Sequence, residues 1–101
     1  MKEYEEGLRL LPEHMRQGVT LYIERGLPYM GDFLRAVMEN NLTEAFGRAD
    51  YINEAHMKDW VNFIYNYAPS QCHGSREKVK AWVERGGLVG REDVLAGAGI
   101  K

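Results

Sequence analysis

Apolar side chains recur along this chain at helical spacing. Leu11, Met15, Val19, Tyr22 and Ile23 fall at i, i+4, i+8, i+11 and i+12, one stripe of a helix. Pro12 suits a first turn, where its missing N–H is not needed. Gly26 and Pro28 end the run, so the pattern predicts a first helix over Pro12–Arg25. Gly18 inside it weakens the helix by roughly 1 kcal/mol relative to alanine, which close approach of another helix would explain. After a connector from Leu27 to Met30, Asp32 is placed as the N-cap of a second helix with Phe33, Leu34, Val37 and Met38 facing inward. Asn41-Leu42-Thr43-Glu44 resembles a capping box with Asn in the place of Ser or Thr. It starts a third helix whose stripe is Leu42, Ala45, Phe46 and Ala49.

The broadest stripe belongs to a fourth helix over 54–67. Met57, Trp60, Val61, Ile64 and Ala68 form it, and His56, Phe63 and Tyr67 widen it. So wide an apolar face is expected at the centre of a domain. Periodicity alone does not separate one rod from Leu42 to Tyr67 from two helices. The capping types Asp50 and Asn53 favour a break between them. Pro69 stops the fourth helix, Ser70 to Gly74 is a loop, and Ser75 caps a fifth helix carrying Val79, Trp82 and Val83. Gly86 and Gly87 end it.

No alternating pattern and no Asn-Gly or Asp-Gly turn signals a strand or hairpin. The expected fold is all-α, a compact single-domain bundle of about five short helices over 11–88. Residues 1–10 form a charged N-terminal arm, frayed or docked. Residues 89–101 form a flexible C-terminal tail, with one helical turn around Asp93 to Leu95.

Composition narrows the function. A chain of 101 residues builds one modest core. The net charge of -2 argues against a general nucleic-acid binder, which needs a basic footprint. A helix-turn-helix reading of Leu42 to Val61 fails for the same reason, because its second helix begins at Glu54 and carries Asp59. No apolar run reaches the length of a membrane span. The acidic first residues lack the apolar segment of a secretory signal. One cysteine, Cys72, forms no internal disulfide, and the expected location is a reducing cytoplasm.

The polar residues left by the stripes are the candidate site. Arg35, Glu39, Asn40, Asn41, Glu44, Arg48, Asp50 and Asn53 gather within one stretch, with Tyr65 on the polar side of the fourth helix beside Asn62 and Asn66. Structure alone accounts for many of them. Glu44 and Arg48 stand at i, i+4 in the favourable order for a surface pair, Asn40 and Asn41 suit a corner, and Asp50 and Asn53 suit caps. The functional alternative has Arg35, Arg48, Asp50 and Asn53 converging on a ligand or partner, since two arginines beside amides hold a phosphate or carboxylate. Exposed tyrosine and arginine together also suit a protein interface.

Other chemistry finds little support. His14, His56 and His73 lie on separate elements, and no second pair of ligands accompanies Cys72-His73, so no metal site is expected. Cys72 and His73 are adjacent in a loop, where side chains seldom meet, and a half-buried thiol is the plainer reading. The loop Cys72-His73-Gly74-Ser75 is too short and too lightly glycine-rich for a phosphate loop.

These same residues resemble a family of small all-helical phage and prophage proteins. The resemblance rests on Gly31-Asp-Phe-Leu-Arg-Ala-Val-Met38, Asn40-Asn41-Leu42, Gly47-Arg48-Ala49-Asp50, Asn53, Tyr65-Asn66, Pro69 and a Cys-aromatic-Gly-Ser loop, over about residues 11 to 88. His73 stands where that pattern has an aromatic residue, and Asn41 where aspartate is usual. The family implies no activity. It implies a context, a protein made inside a bacterial host, where many small phage proteins act by binding a host protein and some sequester nucleotide signals.

The expectation is therefore a non-enzymatic protein without a cofactor, acting on another protein: a bacterial host factor or a second copy of itself. The residues expected to take part are Arg35, Asn41, Glu44, Arg48, Asp50, Asn53 and Tyr65. The alternative is a protein that binds or sequesters a nucleotide or another anion.

Overall fold

The elements run in the order α1 (Glu3–Gly7), α2 (Glu13–Arg25), α3 (Gly31–Met38), α4 (Leu42–Arg48), α5 (Tyr51–Ala55), α6 (Met57–Asn66) and α7 (Arg76–Arg85). Short 3-10 turns at Leu8–Leu10 and Ser70–Cys72 link some of them. This is a computed structural model, and it describes residues 3–27 and 31–90. Among the described residues there is no strand, so the all-α class stands. They hold seven α-helices rather than about five.

One of the two added helices comes from the stretch that was expected to hold two. The chain from Leu42 to Asn66 breaks twice. At the first break Ala49 is extended and the Asp50 carboxylate caps α5 by accepting from the Asn53 N–H at 2.7 Å. At the second, His56 leaves helical geometry at φ -111°, and its Nδ1 meets Asp59 Oδ2 at 2.8 Å. The single fourth helix over 54–67 is thus two helices meeting at His56. The remaining addition is α1, a docked helix. Its Tyr4 is 2 % exposed and donates its hydroxyl to the Glu24 carboxylate. Burial first, and then that carboxylate, raise the Tyr4 hydroxyl above its ordinary pKa.

Helices of five to thirteen residues do not stand alone in water, so packing must hold them. One cluster does so. Tyr22 and Ile23 of α2, Leu34 and Met38 of α3, Trp60 and Phe63 of α6 and Trp82 of α7 are all buried in it. Phe33 meets Trp60 edge to face with ring centroids 5.3 Å apart, a favoured aromatic geometry. Tyr22 Oη donates to the Cys72 carbonyl at 2.7 Å, and Gly74 N donates to the Met38 carbonyl at 2.8 Å. These two bonds tie the loop before α7 to α2 and α3. Asp32, expected as a cap, lies in the first turn of α3.

The end of α2 and the end of α7 complete each other. A helix leaves its last carbonyls without helical partners. Here Ile23 accepts from Leu88 N at 2.9 Å and Glu24 from Val89 N at 2.9 Å, and the Tyr22 carbonyl, which already accepts from Gly26 N, also accepts from Trp82 Nε1 at 2.9 Å. Val89, placed in the expected tail, is thereby bonded to α2, and Gly90 N donates to the Gly86 carbonyl at 3.1 Å. Residues 91–101, with the helical turn expected there, lie outside the described residues, as do Pro28 and Tyr29 of the connector.

Gly18 needs no close neighbour. A Cβ placed on it meets nothing within 4 Å, which corrects the expectation of a tight helix contact. Gly18→Ala is therefore expected to stabilise the protein by roughly 0.5–1 kcal/mol, through helix propensity and a less disordered unfolded chain. The urea midpoint measures this. A drop would mean that α2 makes a contact at Gly18 after all.

Candidate functional site

The structure divides the expected polar site between two places. On the first, α4 folds back on α3 and its charged residues satisfy one another. Asn41 caps α4, its Oδ1 accepting from the Glu44 N–H at 3.2 Å. Arg48 Nε donates to Glu44 Oε2 at 3.2 Å, and its Nη1 lies 3.6 Å from Asp32 Oδ2. Two carboxylates thus already face Arg48. Arg35 is exposed on α3. Asp50 is committed to capping, and its Oδ2 lies 3.0 Å from His14 Nε2 on α2. The backbone hydrogen bond from Asn53 in the first place, and His14 after it, lower the Asp50 pKa.

Asn53 is not part of an open polar face. It is 2 % exposed, and its Oδ1 accepts from Trp60 Nε1 at 3.1 Å. The reason is the indole N–H. A buried donor needs an acceptor, and residue 53, two turns before Trp60, lies on the same side as the ring. The cap that Asn53 was expected to supply comes from Asp50.

The second place is a groove between α3, α4 and α6, and it receives Asn41 and Tyr65. Its volume is about 230 Å³. Asn40, in the left-handed region at φ 63°, and Asn41 form its corner. Ala36 and Ala45 are buried and small, which keeps its floor low. Leu42, Met57, Val61, Ile64 and Tyr65 form its walls. None of its lining side chains is charged. Leu42 is 63 % exposed, Val61 58 % and Tyr65 86 %. Phe46, one turn beyond Leu42 on α4, is also exposed.

Leu42, Phe46 and Val61 follow the period of the apolar stripes and yet are exposed. The core takes only Ala45 from α4, and Trp60 and Phe63 from α6. The width of the α6 stripe was the available signal. It is broad because one side packs on the core and the other walls the groove.

Elsewhere the chemistry is structural. Cys72 is fully buried rather than half-buried, and burial pushes its thiol up to about 12. Burial, then the Lys78 charge, lowers the pKa of His73. Among the described residues no group of three or more His, Cys, Asp or Glu is placed to hold a metal ion, and no helix is long and apolar enough to cross a membrane. Comparison with protein families, with curated proteins and with solved structures finds no match for this chain.

Proposed function

We propose that the protein is a binding module without chemistry of its own, and that it works by holding another protein chain in the groove between α3, α4 and α6. The observation that carries this is the uncharged hollow walled by exposed Leu42, Val61 and Tyr65. Scattered apolar residues on a surface are ordinary, whereas a grouped set marks an interaction site. Of the eight large exposed hydrophobics among the described residues, Leu42, Val61 and Tyr65 line this groove and Phe46 stands one turn beyond Leu42. Depletion of charge at the centre of a patch, with tyrosine present, is the composition of an interface core. The phage or prophage context, with a host factor as partner, rests on the sequence resemblance alone.

A photoreactive amino acid at position 61, in cells that make the protein, tests the reading. Irradiation is expected to give a discrete protein adduct from position 61 and none from position 80, on the charged face of α7. No adduct from position 61, or the same adducts from both, would remove the groove as the working surface.

A further inference from the structure

Resting on that reading, we infer that the occupant of the groove is a second copy of this chain, packed across a two-fold axis beside Val61. Charge is the first argument. From Val61 to Asn66, α6 exposes Val61, Tyr65 and Asn66, with Asn62 half-buried beside them, and none is charged. The outer face of α7 is the opposite, with Arg76, Glu77, Lys78, Lys80, Glu84 and Arg85 all exposed. A partner chosen by charge finds nothing to pair with over that stretch, which lies beyond the exposed Lys58 of α6. A second copy needs nothing of the kind.

The polar groups point the same way. At the hollow they are the amides of Asn40 and Asn41 and the Tyr65 hydroxyl, while Asn66 beside Tyr65 donates to Asn62. Each both donates and accepts hydrogen bonds, so whichever of them meet across a two-fold axis can pair. A lysine or a glutamate at such a position would meet a like charge.

Shape and area agree. One face carries both a hollow and, on its rim, a tyrosine that is 86 % exposed. A two-fold rotation offers the Tyr65 ring of each copy to the hollow of the other. A cavity of about 150 Å³ already takes a benzene ring, and this one is about 230 Å³. An aromatic side chain covers on the order of 150–250 Å² when fully buried. Covering Tyr65 and what remains exposed of Leu42, Phe46 and Val61 removes on the order of 500 Å² from each copy, about 1,000 Å² in all, the lower end of a specific interface.

Sedimentation equilibrium of the full chain, from about 1 µM to several hundred micromolar, tests this. The wild type is expected to reach twice the 11.6 kDa chain mass. Val61→Arg, which sets two like charges at the axis, is expected to weaken the dimer by at least about 100-fold while leaving the helical circular dichroism unchanged. Tyr65→Asp, at a more exposed position, does the same should Val61→Arg not fold. Lys80→Ala on α7 leaves the dimer intact. A wild type that stays at 11.6 kDa throughout overturns the second copy, as does a folded Val61→Arg that dimerises like the wild type. A monomeric wild type that still crosslinks from position 61 to a different protein overturns only the second copy. A monomer that gives no adduct there overturns the groove reading as well.

Discussion

Gly87→Ala is expected to remove about 3–5 kcal/mol of stability, much of the margin of a small domain. Two effects combine. Gly87 sits at φ +70°, in the left-handed region that strains any L side chain. Its Cβ would also stand 2.5 Å from Gly26 N and 2.6 Å from Arg25 N. Those are backbone atoms at the end of α2 and cannot swing aside as a side chain could. The segment from Gly87 to Val89 would have to lift off α2. The bonds from Leu88 N to the Ile23 carbonyl and from Val89 N to the Glu24 carbonyl would then weaken or break. Urea unfolding followed by tryptophan fluorescence measures the loss. A change below about 1 kcal/mol, the size of one hydrogen bond, would mean that the two backbones do not meet this closely. Gly18→Ala, expected to move the other way, is the internal comparison.

Trp60→Ala is expected to cost about 3–5 kcal/mol, the usual range for deleting a buried aromatic side chain. Trp60 is 1 % exposed, meets Phe33 at its edge and donates to Asn53. Part of the loss is separable. Trp60→Phe keeps a ring and removes the donor, leaving the Asn53 amide oxygen without its indole partner. Asn53→Ala leaves the indole N–H unpaired instead. Each such orphan costs about 1–3 kcal/mol. The double variant is expected to lose less than the two single losses together, because both break the same bond. Additive losses would show that Trp60 and Asn53 act independently and that the bond between them contributes little.

The helical class was legible because the inward positions Val19, Tyr22, Ile23, Leu34, Met38, Trp60 and Trp82 keep a 3.6-residue period, and because Asn41 and Ser75 cap helices as their types suggest. The number of helices was not. The break at His56 comes from backbone geometry with no local signature such as Pro or Gly, and the burial of Tyr4 depends on Glu24, twenty residues away. The placement of the candidate residues was legible only in part. Asn41 and Tyr65 do stand together, while Arg48, Glu44 and Asp50 are engaged in pairs and caps. Leu42, Phe46 and Val61 were misplaced for a simple reason. A period shows which side chains share a face, and it says nothing about whether another element covers that face. Asn53 shows the converse. Its seven-residue spacing from Trp60 was visible, but only the buried ring makes the amide a core acceptor.

The clamp between α2 and α7 also bears on how the chain is made. Synthesis runs from residue 1 forward at about 5–20 residues per second, so the Tyr22, Ile23 and Glu24 carbonyls emerge some sixty residues ahead of Trp82, Leu88 and Val89, which they await. During that interval the nascent chain holds the last turn of α2 without its partners. Folding of this domain is therefore a late event, committed only when the α7 stretch has left the ribosome, and any intermediate released before Trp82 carries an open core.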